Sequence, residues 1–209
     1  MVGKARVRER LLKAAAELFY SNGVGATGID AMTARAGVAK MSLYNNFSSK
    51  SDLVNAYIQA RRAEWQDLYR ARLSQATTPE NRVLAVFDTY ADYASREYQR
   101  GFRGCGLLNA AAELPVGDPG RATVAAQKEE VEALFKEQLR AMRLEAGISI
   151  DETAQHLSFL LEGAMSRAGL DGHDARLKKA RKIAKSMLEQ FRSPQDRARV
   201  RTAARRKEP

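Results

Sequence analysis

Sulfur and imidazole are scarce in this chain: one cysteine and two histidines stand among 209 residues. A lone cysteine closes no intrachain disulfide, and so few soft ligands make no structural zinc site, which excludes a disulfide-stapled secreted scaffold and a zinc finger. Long apolar runs are missing as well. No stretch approaches the ~20 residues that cross a bilayer, and the N-terminus lacks the apolar core of a signal peptide, so a cytoplasmic protein with no membrane partner is expected. Strand-like alternation of useful length is also absent, whereas apolar residues recur at helical spacing throughout. The expected fold class is therefore all-α.

Positive charge is in excess. Lys and Arg number 35 against 25 Asp and Glu, a formal net charge of +10 that favours an anionic partner such as nucleic acid. The excess sits at the two ends: residues 1–60 hold 8 basic and 4 acidic side chains, residues 193–209 hold 6 and 2, and the stretch between holds 21 and 19. The final stretch, 193–209, has little besides Ala and Val to bury and is expected to be a basic, disordered tail.

Near the N-terminus, Leu11, Leu12, Ala15, Leu18 and Phe19 form the stripe of a first helix, which "SNGVG" ends. A short second helix follows, with Thr27 and Asp30 at capping-box spacing and Ile29, Met32 and Ala36 facing inward. Gly37 then stands where a left-handed residue lets the chain reverse. A third helix is expected from about Ala39 to Asn45, its Leu43 and the following Phe47 turned to the core. Three short helices with a tight turn before the last make a helix-turn-helix, whose final helix enters the major groove.

Lys40, Met41, Ser42, Tyr44, Asn45 and Asn46 lie off the Leu43 face, as poor core material should. Lys40 and Lys50 can neutralise phosphates, an Asn can pair with adenine, and Met41 can touch a thymine methyl. A helix N-terminus near Ser49 to Ser51 would point further donors at a phosphate. Together with Thr27, these are the expected DNA-binding residues.

Over "LFYSNGVGATGIDAMTARAGVAKMSLYNNFSSKSDLV", Leu18 to Val54, the sequence resembles the TetR family of transcriptional regulators. Gly23, Thr27, Ala36, Gly37, Val38, Leu43, Tyr44, Phe47, Lys50 and Leu53 carry the likeness. The resemblance implies backbone contacts at Thr27, Tyr44 and Lys50, and base-edge positions at Lys40, Met41, Ser42 and Asn46. It departs at Ala39, where the family often has a capping Ser, and at Met41, where it often has Gly.

The expected organisation is a DNA-binding domain over 1–50, a ligand-binding and dimerisation domain over 51–192, and the tail. Helical spacing continues to about Gln75, from "TTPENR" to about Tyr98, in the short "CGLLNAAAEL", from about Arg121 to Ala146, and in two helices over about 151–170 and 174–191. The resemblance implies a two-fold dimer through the last two helices. Leu161, Gly163, Met165, Ser166, Gly169, Ala180, Ile183, Ala184 and Met187 are the expected interface, with an intramolecular bundle as the other reading. It also implies a pocket for an unidentified small-molecule inducer among the middle helices, for which Trp65, Tyr69, Phe87, Tyr90, Phe102, Cys105, Leu107, Asn109, Phe135 and Phe159 are candidates. Cys105 lies at a helix break beside Arg100 and Arg103 and resembles a branch of the family that senses oxidants or electrophiles. No cofactor, metal site or catalytic activity is expected: nothing brings Cys105 together with His156 or His173 as nucleophile and base. The expected function is a dimeric repressor of a near-palindromic operator, with a non-specific architectural DNA-binding protein and a Cys105-based sensor as the alternatives.

Overall fold

The computed structural model describes residues 2–192, so the expected tail lies outside it. Among the described residues there are nine α-helices and no strand; a lone bridge joins Leu144 and Arg192. The helices are α1 (Val2–Asn22), α2 (Ile29–Ala36), α3 (Lys40–Tyr44), α4 (Lys50–Leu73), α5 (Pro79–Ala94), α6 (Gly106–Ala112), α7 (Pro119–Ala141), α8 (Ile150–Asp171) and α9 (Ala175–Phe191). No described helix is long and apolar enough to cross a membrane.

The described residues form two compact units, 2–67 with 96–128 and 68–95 with 129–192. Compactness thus does not divide at residue 50, because the first turns of α4, all of α6 and the start of α7 share a core with α1, α2 and α3. In the first unit Leu11, Phe19, Met32, Leu43, Phe47, Leu53, Tyr57 and Ile58 are buried together with Leu107 and Val124. Phe19 meets Tyr57 edge to face at 5.4 Å. Burial pushes the Tyr57 hydroxyl up to about 12.

Local chemistry explains several helix ends. Thr78 Oγ1 accepts the Asn81 N–H at 3.1 Å with Pro79 just inside α5, and Ser149 Oγ accepts the Glu152 N–H at 3.3 Å to start α8. The capping box expected at Thr27 does not form. Gly28 is the N-cap of α2 and makes no side-chain cap, because the Thr27 hydroxyl donates to the Gly23 carbonyl at 2.6 Å instead. α5 stops at Ala94 rather than near Tyr98, and α7 at Ala141 rather than Ala146; beyond it the Glu145 N–H donates to the Phe191 carbonyl at 2.8 Å.

In the second unit α5, α8 and α9 pack on one another, with Phe87 and Phe135 stacked obliquely at 5.9 Å in its core. Ion pairs join the helices: Arg181 to Asp88 at 2.6 Å, Arg72 to Asp92, and Arg192 to the buried Glu80. The α8–α9 turn is tied by Arg176 to Asp171 and Lys178 to Asp174, both at 2.6 Å, and these hydrogen-bonded cations hold both carboxyls below their usual range.

Candidate nucleic-acid interface

α3 is a single turn and a half, too short to persist unaided, and is fixed by what surrounds it. Before it, Gly37 adopts φ 62° and ψ 44°, and its N–H donates to the Ala34 carbonyl at 3.1 Å. A side chain there would place its Cβ 2.7 Å from Arg10 Nη2, which donates to the Gly37 carbonyl at 2.7 Å. Arg10 is thus committed to shaping the turn. The N-cap Ala39 offers no side-chain acceptor, so Leu43, fully buried, and Phe47 carry the anchoring. Arg8 lies over the Phe47 ring at 5.1 Å.

This anchoring turns a polar face outward. Met41 is 69% exposed and Tyr44 48%, unusual for large apolar side chains, and Lys40 and Asn45 are exposed beside them. Lys40 is paired with Asp30 at 2.8 Å, which keeps its ammonium firmly protonated and means that contact with DNA exchanges one anionic partner for another. Ser42 is half-buried.

Two expected readers point elsewhere. Thr27 is 2% exposed and its hydroxyl is engaged with the Gly23 carbonyl, so no hydroxyl is presented at the surface. The Asn46 amide turns inward: its Nδ2 donates to the Ser42 carbonyl at 2.7 Å, closing the C-terminal end of α3, and its Oδ1 is buried. An Asn placed just past a very short helix bonds the last carbonyls more readily than it reaches out, which composition alone does not reveal.

Lys50 opens α4 and donates to the Gly25 carbonyl at a long 3.5 Å. The N-terminus beneath it is capped from within the chain. Ser49 Oγ accepts the Asp52 N–H at 3.1 Å, and Asp52 Oδ2 accepts the Ser48 N–H at 2.9 Å. The Asp52 carboxylate takes the Ser48 N–H, and Lys50 is the cation this end offers. Lys50→Ala is expected to weaken binding to every duplex alike and to lower the slope of log affinity against log salt by about 1, measured by titrating specific and random duplexes at several salt concentrations.

A short helix-turn-helix with this outward face, followed by a helical second unit, is matched by sequence. Residues 11–57 match the family described as "Bacterial regulatory proteins, tetR family", and residues 79–184 match "Tetracyclin repressor-like, C-terminal domain". The chain belongs to the TetR family. A TetR-family transcriptional regulator from Streptomyces coelicolor superposes with a TM-score of 0.81 at 27% identity, covering 90% of this chain and 97% of that one. A TetR regulator from Chloroflexus aurantiacus shares the fold with a TM-score of 0.78 at 24% identity, over 91% and 98% of the two chains. An HTH-type transcriptional activator, FasR of Mycolicibacterium smegmatis, is 35% identical over 96 residues, 46% of this chain and 43% of its own length. This TetR-family protein is accordingly a transcriptional regulator with a helix-turn-helix DNA-binding module, in a family of regulators rather than enzymes.

The expected inducer-pocket residues fall in both compact units. Trp65, Phe102 and Leu107 are buried in the first, Tyr69, Phe87, Tyr90 and Phe135 in the second. Burial pushes the Tyr69 hydroxyl up to about 12. Asn109 is exposed and donates to the Arg103 carbonyl at 2.9 Å, and Cys105 is half-buried with the Lys128 ammonium 3.7 Å from its sulfur. Phe159 is 70% exposed. A cavity of about 210 Å³ in the first unit is bordered instead by residues the sequence did not single out, among them Tyr20, Arg61, Arg96 and Tyr98.

The expected dimer residues also separate by burial. Leu161, Met165, Ala180 and Ala184 belong to the core of the single chain, because α5, α8 and α9 pack through them. Gly169 and Met187 are half-buried. Gly163, Ser166 and Ile183 are exposed, and a Cβ added at Gly163 would meet open space. Phe159 joins them: residues 159, 163, 166 and 170 share one face of α8, on which Leu170 is 86% exposed. On α9, Ile183 is 46% exposed.

Proposed function

We propose that this TetR-family regulator binds a near-palindromic operator as a homodimer, represses transcription from it, and is released by a small-molecule inducer. The observation that carries this reading is the pairing of two unlike surfaces: the polar face of α3, and the apolar face of α8 with Phe159, Gly163 and Leu170. The first suits a groove, the second a copy of itself. Joining two modules through a two-fold axis sets the two α3 helices about one DNA turn apart, ~34 Å, which matches palindromic half-sites. An inducer acts by binding the state with the wrong spacing more tightly than the DNA-binding state; equal affinity for both would shift nothing. Base contacts are assigned to Lys40, Met41 and Ser42, with Asn45 at the edge, and backbone contacts to Tyr44 and Lys50.

Selection of bound sequences from a random DNA pool at near-physiological salt tests it. Enrichment of an inverted repeat is expected. Salt-sensitive binding with no enriched sequence would replace it with the non-specific architectural reading. The action as a repressor is tested by placing the enriched site between promoter and reporter, where activation instead of silencing would reverse the sign of regulation.

The Lys128 ammonium 3.7 Å from the Cys105 sulfur supports a second route for the signal, in which Cys105 adds to the C=C bond of an electrophilic alkene: an S–C bond forms as the π bond breaks, and the thiol proton ends on the adjacent carbon. N-ethylmaleimide would then release wild-type protein from its operator and leave Cys105→Ser bound; equal behaviour of the two would remove this route.

A further inference from the structure

We propose that Glu113, at the C-terminal end of α6, is a positioning residue for DNA binding: it holds the α1–α2 turn in the one arrangement that places Lys50 and the start of α2 against the phosphates. The inference rests on the operator-binding reading above.

The geometry is a double grip on consecutive peptides. Glu113 Oε1 accepts the Val24 N–H at 3.0 Å, and Oε2 accepts the Gly25 N–H at 2.6 Å. Two adjacent amides converging on one carboxylate form charge-assisted bonds, stronger than neutral ones and directional for the peptides that make them. The turn is built to admit the carboxylate. A Cβ on Gly23, whose φ is +93°, would lie 2.6 Å from Oε1, and one on Gly25 would lie 3.1 Å from Oε2.

The next peptide, joined to it at Gly25, faces the DNA-binding groups. The Gly25 carbonyl accepts from Lys50 Nζ at 3.5 Å, and two residues on, Thr27 ties its hydroxyl to Gly23 and its N–H to the Val24 carbonyl at 3.4 Å before α2 begins. Glu113, the turn, Lys50 and the entry to α2 are therefore one hydrogen-bonded unit. α6 is itself held in place at its near end: the Arg103 guanidinium caps α1 at the Ser21 and Tyr20 carbonyls, 2.6 and 3.1 Å away, and the Arg103 N–H donates to the Tyr20 hydroxyl at 2.7 Å. Glu113 is thus carried on a fixed arm.

A carboxylate near a DNA-binding surface repels the polyanion, so charge alone and positioning predict opposite signs for its removal. In the full-length protein, Glu113→Ala is expected to bind the enriched operator about tenfold more weakly and a random duplex at least as tightly as wild type. Glu113→Gln, which keeps an acceptor but no charge, should fall between them on the operator. The loss from Lys50→Ala combined with Glu113→Ala should be smaller than the sum of the two, because both act through Gly25. Thermal unfolding of each variant reports whether the fold is retained, and the Gln variant, matched in shape, serves where the Ala variant is damaged. Tightening on both duplexes, equal weakening on both, or full additivity with Lys50→Ala would each overturn the role of Glu113. Failure of wild type to enrich any sequence would instead remove the operator reading beneath it, and is seen before any variant is made.

Discussion

Phe159→Glu is expected to convert the proposed dimer to a monomer, to lower operator affinity by about two orders of magnitude, and to leave the melting temperature of the chain nearly unchanged. Phe159 is 70% exposed, so its own chain gains little from it. Across a two-fold axis each such residue counts twice, and a buried Phe contributes roughly 1.5–3 kcal/mol. The substitution removes that burial and brings a carboxylate from each copy toward the same axis, where like charges in a drying contact repel. A change of about 3 kcal/mol is roughly a hundredfold in a dissociation constant. Leu161→Ala, two residues away, is the contrasting case. Leu161 is fully buried within the chain, and the change should cost about 2–5 kcal/mol of folding stability. Sedimentation of both variants over a range of concentrations, with melting curves beside it, separates the two faces. A Phe159→Glu protein that still sediments as a dimer would place the interface elsewhere.

The difference between these neighbours was hidden in the sequence for a physical reason. α8 is apolar on two sides: Leu157, Leu161, Met165 and Ala168 recur on one, Phe159, Gly163 and Leu170 on another. Periodicity identifies such a helix but does not say which stripe its own chain buries and which it leaves exposed. The expected interface residues Leu161, Gly163, Met165, Ser166 and Gly169 accordingly divide between core and surface. The helix-turn-helix was more legible because its signals are local. Leu11, Ala15 and Phe19 repeat at helical spacing within α1, Met32 and Ala36 do so within α2, and Gly37 stands where a left-handed conformation is required. Side-chain direction at the helix ends was less so: Thr27, closing the α1–α2 turn, and Asn46, in the turn just past α3, each satisfy a carbonyl four residues back. The Glu113 grip on Val24 spans 89 residues and leaves no trace in any window of sequence.

Leu43→Ala is the largest change expected in the DNA-binding module, and it tests what keeps α3 in shape. Leu43 is fully buried among Leu11, Met32, Phe47 and Leu53, so truncation should cost about 2–5 kcal/mol. A helix of five residues has too few internal hydrogen bonds to survive that loss, and Ala39 gives it no side-chain cap to fall back on. Specific DNA binding should therefore vanish, while α5, α8 and α9, in the other compact unit, keep their protection and the dimer persists. Tyr44→Ala removes a neighbour that is half exposed, and should change melting little while weakening the operator complex by about 1–2 kcal/mol. Hydrogen exchange resolved by segment reads the two cases directly. Rapid exchange confined to α2 and α3 in the Leu43 variant, with wild-type exchange in the Tyr44 variant, is the expected pattern. Exchange raised equally across all helices would mean that the two units unfold as one, and that Leu43 supports the whole chain rather than the reading helix alone.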